Sequence, residues 1–582
     1  MGEEDAGHAP VDGGERIGPR RSQADVGPGS RESGKPARDL AVVLSVWLAV
    51  AATVVMIALP NLSAPGLYYD EAGTAGLAKD LMKGRVSGTH MPGTETVNLF
   101  GRPFPLFVQW YFGAVKPWLM IPSFLLFDPT VPVLRLTSLF WYLAGLLLFM
   151  LWTRKLLGLS AALLAAPILA LDPSLFFPAV VDWGPVIPGF LCRLAGYYFL
   201  LCWWRKRKMR DGLLGAFACG LGFFAKIDFA VILGGCGIAA VAVYGKEILA
   251  TCRNSPRNCA LCCLCFLLGA SPMALRVSNM VGEAFRSTGP NPNRALEFQE
   301  RLNTACAMYD GSYFFRVMNV GRLNMVTSAT RDRDTMFLRA CPVRSLFGWM
   351  VIGSSVLLAA GFLRRRGDRV ERQRSAFLLL SAVLITVGVI LLPRAWGLHH
   401  ALLVYPFPHL IVTAAIVATW GKSWSRQSLV AWIRRTLAIA IASAVIAGHV
   451  LVLWETQRLI AATGGRGHWS DSLATFCHDV KDEPDVSIVS LDWGFNEQLL
   501  FLCDNRRLSE PIYYGSKGPG PVTSKSIYLF HPREYTVSSL GWQFYQTLAQ
   551  TQPRNLLIRP YKDRQGNVVF YAMRVRQEHG GL

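Results

Sequence analysis

Residues 40–60 read LAVVLSVWLAVAATVVMIALP, a run with no charge and almost no polar side chain. At 1.5 Å per residue a helix of this length reaches about 30 Å, the thickness of the hydrocarbon core of a bilayer, so the stretch reads as a membrane span. The chain before it, residues 1–39, is rich in Gly, Pro, Ser and charge and poor in large apolar residues. Such a segment buries too little surface to offset its ordering entropy and is expected to be a disordered tail. Arg20, Arg21, Arg31, Lys35 and Arg38 place that tail on the cytoplasmic side, and after so long a polar lead the span is an uncleaved anchor rather than a removable signal peptide.

The same pattern recurs. Further spans centre on residues 136–152, 156–171, 184–204, 213–224, 229–244, 259–275, 346–363, 376–392, 401–420 and 437–454, which makes about eleven. The bulk numbers agree: 582 residues, 52% hydrophobic and only 17% charged, are too apolar for a water-soluble enzyme of this size. A formal net charge of +20 would suit nucleic acid, but the Lys and Arg residues sit in short clusters between apolar runs, where they act as orientation signals. Clusters at 154–155, 205–210, 246–257, 364–374 and 422–435 fall at every second connection, on the same side as the tail, so the C-terminus lies outside. Phe104 to Phe127 is apolar and aromatic, yet interrupted by Lys116, Pro117 and Pro122. Crossing there would move every later basic cluster to the other side, so it is read as an interfacial helix on the outer face.

The fold class expected is therefore a polytopic α-helical membrane protein with a small C-terminal α/β domain outside the membrane. Its parts are the tail 1–39, a transmembrane catalytic domain 40–456 with long outer loops 61–132 and 278–342, and the outer domain 457–582. In the last part, strand-like runs occur at 486–491, 526–530, 555–558 and 567–575, with helix-like runs at 496–503 and 537–550. Most of the 13 cysteines lie in apolar stretches and pack as small hydrophobes; Cys306, Cys341, Cys477 and Cys503 fall outside the membrane, where bridges 306/341 and 477/503 are expected.

The ionisable residues of the outer turns carry the candidate chemistry. In Tyr68-Tyr69-Asp70-Glu71 two acids open an amphipathic helix just after the first span; capping explains either acid alone. Asp182, in Val181-Asp182-Trp183-Gly184-Pro185, occupies the next outer connection at a similar depth, and it too reads as a cap when taken singly. Sugar transfer needs a carboxylate to deprotonate an acceptor hydroxyl and polar groups to hold the donor as charge develops. Arg193 sits about two turns inside a span, where a charge needs a polar cavity or a partner. Two readings stand side by side: a lipid phosphate, which guanidinium pairs well, or an internal pair with Asp182 or Glu71. Lys226 and Asp228 mark the turn of a hairpin, where snorkelling to the interface is the simpler account of the lysine. His399 and His400 end another outer turn; neighbours on a helix point different ways, so one would meet a phosphate or sugar while the other caps or packs, and a metal site on the pair is disfavoured.

Taken in order, Asp70-Glu71, Arg135-Leu136, Asp182-Trp183-Gly184-Pro185, Gly222-Phe223-Phe224-Ala225-Lys226 and His399-His400 with Tyr405-Pro406-Phe407-Pro408 resemble the GT-C fold glycosyltransferases, in particular family 39, which holds protein O-mannosyltransferases and aminoarabinose transferases of lipid A. The resemblance covers about Leu40 to Trp454 and implies inverting, direct displacement of a sugar from a polyprenyl-phosphate donor, at the extracytoplasmic face, onto a protein, lipid or glycan acceptor. It implies Asp70 as catalytic base, with Glu71 and Asp182 in support. Tyr69, Arg102, Arg193, Lys226, His399 and His400 are the expected substrate-binding residues. No cofactor is required by this chemistry; a divalent cation is left open, and no nucleic-acid partner is expected. The chain shows no P-loop and no dinucleotide fingerprint. The bacterial inner membrane is the expected location, with the endoplasmic reticulum as the alternative. The loop 278–342 and the C-terminal domain match no motif of the family. A lipid or solute transporter is the rival reading, but it predicts pseudo-symmetric halves that are not evident here, and its acids would not gather at one face. A catalytically dead scaffold is the third.

Overall fold

The structure is a computed structural model and describes residues 36–86, 90–181, 183–276, 294–321, 342–364, 368–392, 397–420, 429–503, 507–511 and 522–576. By internal contacts the chain divides into residues 1–42, whose described part is the start of the first helix, and Val43–Leu582, which holds every other element.

Seven helices among the described residues are long and apolar enough to cross a membrane, and nine do if each of two bent pairs counts as one span. The remaining two of the eleven expected spans fall on α8 (Met209–Ala225) and α13 (Phe347–Leu363), each of 17 residues. At 1.5 Å per residue these reach only about 25 Å. α8 lies against α7 (Val186–Lys206) and α10 (Pro256–Ala274). It approaches α10 through glycine: a Cβ on Gly220 would stand 2.1 Å from the carbonyl oxygen of Phe266, and one on Gly269 would stand 2.6 Å from that of Phe217. Small residues let membrane helices come this close.

Two expected straight spans are broken. The 156–171 run ends in α5 (Leu159–Ala170), and the chain then turns by 64° into α6 (Pro173–Val180). Asp172 causes the break: its side chain accepts from the Ser174 amide at 2.8 Å, and Pro173 takes the first helical position, where no amide donor is needed. The 401–420 run bends by 41° between Leu398–Val404 and α16 (Phe407–Trp420), at Pro406, which has no N–H to give. The other helices of the bundle are α1 (Pro36–Ala58), α4 (Val131–Leu157), α9 (Phe229–Asn254), α14 (Arg369–Leu391) and α17 (Leu429–Thr463). α17 runs to Thr463, past the boundary expected at 456.

The outer loops carry ordered structure. α2 (Tyr69–Lys83) is followed by an antiparallel sheet of β1 (Glu95–Leu99), β2 (Arg102–Gln109) and β3 (Phe112–Gly113), and only then by α3 (Val115–Leu126). The interfacial helix expected over 104–127 is thus corrected: its first half is strand. Pro103 and Pro105 are tolerated within β2 because β3 reaches only Phe107 and Gln109, leaving the prolines with a neighbour on one side. From the loop 278–342, α11 (Arg294–Tyr309) and α12 (Tyr313–Val320) pack onto the bundle.

The C-terminal sheet has the order β5 (Arg507–Ser509), β4 (Ser487–Ser490), β6 (Ser526–Phe530), β8 (Val568–Val575), β7 (Leu556–Lys562). β4 pairs in parallel with β5 and β6, and β8 pairs antiparallel with β6 and β7. Alternate residues enter two cores, Ile488, Ile527 and Phe570 on one face and Val489, Tyr528 and Met573 on the other, so both faces are covered. β5 and the helix α18 (Ser472–Asp479) were not anticipated. Cys477 at the end of α18 is bridged to Cys503 just after α19 (Asn496–Leu502), as expected. Cys306 is a free thiol, and Cys341 lies outside the described residues.

Candidate active site

The site begins with the two acids of α2, which face different ways because neighbours on a helix are about 100° apart. Glu71 turns inward. Its Oε1 accepts from Arg135 Nε at 2.8 Å and its Oε2 from Arg135 Nη2 at 2.9 Å, while the same Oε2 accepts from the Tyr68 amide. Arg135 spends its remaining donors on the carbonyls of Leu62, Pro65 and Gly66. Both partners are fully buried, so this pair fixes the turn from residue 62 to the start of α2 with every donor satisfied.

With Glu71 so held, Asp70 is directed toward Trp183, whose indole Nε1 donates to its Oδ2 at 3.3 Å. Burial raises the Asp70 pKa above the ordinary carboxylate range, and Glu497 adds to that; the Trp183 hydrogen bond and the Lys226 and Lys116 ammoniums oppose it. Trp183 belongs to an aromatic box. Tyr68 stacks on Trp469 at 3.8 Å and meets the edges of Trp183 and Trp493, and the Trp183 ring lies 5.6 Å from His399.

His399 leads to a cavity of about 370 Å³ between the starts of α7 and α9, the end of α8 and the 398–404 segment. Arg193, Lys226, Asp228 and His399 line it. Arg193 Nη1 donates to the carbonyls of Leu402 and Leu403 at 2.9 and 3.0 Å. The expected alternative of an Arg193–Glu71 pair is corrected, since Glu71 is taken by Arg135. Asp228 Oδ2 lies 3.0 Å from both Lys226 Nζ and His400 Nδ1. Burial alone would raise its pKa, but Lys226 and His400 hold it down to about 2. Two fixed cations against one carboxylate leave the cavity net positive, which suits an anionic guest.

The other expected residues are placed as follows. Tyr69 is buried beneath Trp493 at 4.7 Å, with its hydroxyl 3.4 Å from Glu510 Oε2. Arg102 stands apart, at an exposed strand end, where its Nη1 donates to the Leu81 and Met82 carbonyls that close α2. Asp182 lies outside the described residues, immediately before Trp183. His399 and His400 do split as their adjacency requires, one into the cavity and one onto Asp228. Sequence reasoning missed Lys116, a buried lysine on α3 close enough to act on Asp70, and the outer-domain residues Trp469, Trp493 and Glu497. Lys116 was visible as a charge in an apolar run; the others carry no local signal. Among the described residues no three His, Cys, Asp or Glu side chains converge on a common point as metal ligands.

Residues 113–274 match the family model described as dolichyl-phosphate-mannose-protein mannosyltransferase. That stretch contains Arg135, Trp183, Arg193, Lys226 and Asp228. No curated protein matches the sequence. Among solved structures, ArnT from Cupriavidus metallidurans bound to undecaprenyl phosphate superposes with a TM-score of 0.51 at 12% identity, covering 92% of this chain and 98% of that one. The Archaeoglobus fulgidus oligosaccharyltransferase, tethered to an acceptor peptide containing the NVT sequon, gives 0.50 at 14% identity, covering 89% and 69%. The chain has the fold of the GT-C membrane glycosyltransferases.

Proposed function

We propose that the protein transfers a sugar from a polyprenyl-phosphate donor to an acceptor hydroxyl at the extracytoplasmic face of the membrane, by direct displacement with inversion. The observation that carries this reading is the bridge made by Trp183: its N–H holds the Asp70 carboxylate, and its ring adjoins His399 in the cationic cavity. A proton acceptor and an anion site therefore lie on either side of one indole. The acceptor oxygen attacks the anomeric carbon, and the bond from that carbon to the phosphate oxygen breaks. Arg193, Lys226 and His399 receive the charge of the departing phosphate, and Asp70 takes the hydroxyl proton. A carboxylate whose proton affinity is raised by burial suits that task, because a base works best with a pKa near the operating pH. Glu71 and Arg135 touch neither substrate; they set the angle of Asp70. Asp182, as Trp183's neighbour, is proposed to orient the acceptor.

The dolichyl-phosphate-mannose family match and the undecaprenyl phosphate held by ArnT support a polyprenyl-phosphate donor. The fold also favours transferase chemistry over transport. We place the protein in the bacterial inner membrane with its N-terminus cytoplasmic. Mass spectrometry of co-purified lipids is the first test, and a polyprenyl-phosphate sugar is the expected finding. Asp70→Asn should then slow transfer by at least about 100-fold while the lipid still binds. Native turnover in that variant would refute Asp70 as the base.

A further inference from the structure

The mechanism above leaves unused the most deeply buried ionisable pair in the bundle. Asp172 and His409 are both 0% exposed, and Asp172 Oδ2 lies 3.0 Å from His409 Nε2. A carboxylate and an imidazole at such depth are expensive to bury, and residues of this kind persist where they serve a purpose. Bending the chain does not require them both: Pro173 and Pro406 already break the two helices. What the pair adds is a tie between the breaks. Asp172 is the N-cap residue of α6, at the 64° bend, and His409 lies in the first turn of α16, just past the 41° bend. Ser174, capped by Asp172, donates through its hydroxyl to the Met308 carbonyl at 2.8 Å, which joins α11 to the same knot.

The segment controlled by this tie is the cavity wall. Residues 398–404 supply His399 and the two carbonyls that hold Arg193. The wall is short and is fastened at each end by a histidine bound to an N-cap aspartate: His400 to Asp228 on one side, His409 to Asp172 on the other. Its depth and rotation thus depend on both pairs. We infer that Asp172 and His409 are positioning residues that set the 398–404 wall, and with it the Arg193 guanidinium, for the donor phosphate. The inference rests on the donor reading given above for its ligand, and on packing alone for its mechanics.

Two measurements on the full-length protein in detergent test it. His409→Leu removes the tie; His409→Asn, too short to reach Asp172, replaces it where the leucine variant does not accumulate. Either should weaken the binding of undecaprenyl phosphate, the probe, on the order of ten-fold, and raise the donor KM with kcat little changed. Amide exchange over 398–404 should quicken. Asp172→Asn should stay close to native in both, because its amide oxygen still caps Ser174 and its NH₂ donates to the other tautomer of His409. Native lipid affinity and native exchange in the His409 variants would overturn the inference, as would a loss of thermal stability with lipid affinity intact. If the native protein fails to bind the lipid, the donor reading falls and the exchange comparison alone decides the tie.

Discussion

Replacing Trp183 with phenylalanine removes one hydrogen bond and little else. The ring would still meet Tyr68, Tyr313 and Phe314, which lie 5.5 to 6.1 Å from the indole. What is lost is the N–H donated to Asp70 Oδ2 at 3.3 Å. Hydrogen bonds to a charged group contribute about 1.5–3 kcal/mol, and this one is long, so the lower end applies. The bond favours the ionised carboxylate, in the same direction as Lys226 and Lys116 and against burial. Without it the proton is held more tightly. The base must be unprotonated to act, so the acidic limb of the pH–rate profile moves to higher pH. As about 1.4 kcal/mol corresponds to a factor of ten, the variant should run on the order of ten-fold slower than native on that limb and converge with it at high pH. The assay is initial transfer rate against pH in proteoliposomes carrying a polyprenyl-phosphate sugar, with Asp70→Asn as the baseline. A uniform slowing across all pH values would mean that the indole orients a substrate and does not tune the base. An unchanged profile would mean that Asp70 is not the group being titrated.

Other perturbations separate structure from chemistry. Glu71→Gln breaks the buried pair with Arg135 and strands its charge, which should cost about 3–5 kcal/mol and show as a lowered unfolding midpoint in detergent; a midpoint within a degree of native would contradict the assigned role. Lys226→Met should raise the donor KM while Asp228 and His400 stay joined, and an unaltered KM would remove Lys226 from the phosphate site. Burial opposes charge on His90, but Glu497 and Asp80 raise its pKa from 6.5 to about 10. Its folded value exceeds the unfolded one, so the stabilisation is complete below about 6.5 and is lost as pH rises toward 10. Thermal midpoints should therefore fall between pH 7 and 10 in the native protein and much less in His90→Gln; parallel slopes would refute the pairing. Cys477→Ser opens a loop of 26 residues. It should destabilise the outer domain by roughly 3 kcal/mol, seen as earlier proteolysis of that domain.

Hydropathy made the spans legible, because a run of apolar residues has the same sum whether the helix is straight or broken. For that reason it hid the two bends. The sign was present at Leu171-Asp172-Pro173, an acid and a proline at the end of an apolar run, which is the order of an N-cap and a first helical residue. Strand β2 was hidden for a different reason: aromatics serve an interfacial helix and a strand equally well, and only the alternation Pro103, Pro105 argued for the strand.

The site divides along the same physical line. Asp70 and Glu71 could be found as a pair, but which faces the reaction depends on Arg135, a residue 64 positions away from Glu71. Periodicity states that the two acids diverge and is silent on what each meets. The aromatic box is less accessible still, since Tyr68 and Trp469 stack across some 400 residues of chain with no motif linking them. That long-range contact has a functional consequence. The outer domain brings Trp469, Trp493 and Glu497 against the turn that carries Asp70, and Glu497 raises the proton affinity of the base. A domain that only covered the membrane part would not need to reach the first turn of α2. Its contact there makes the acidity of Asp70 a property of both halves of the chain, which accounts for why neither half alone discloses the site.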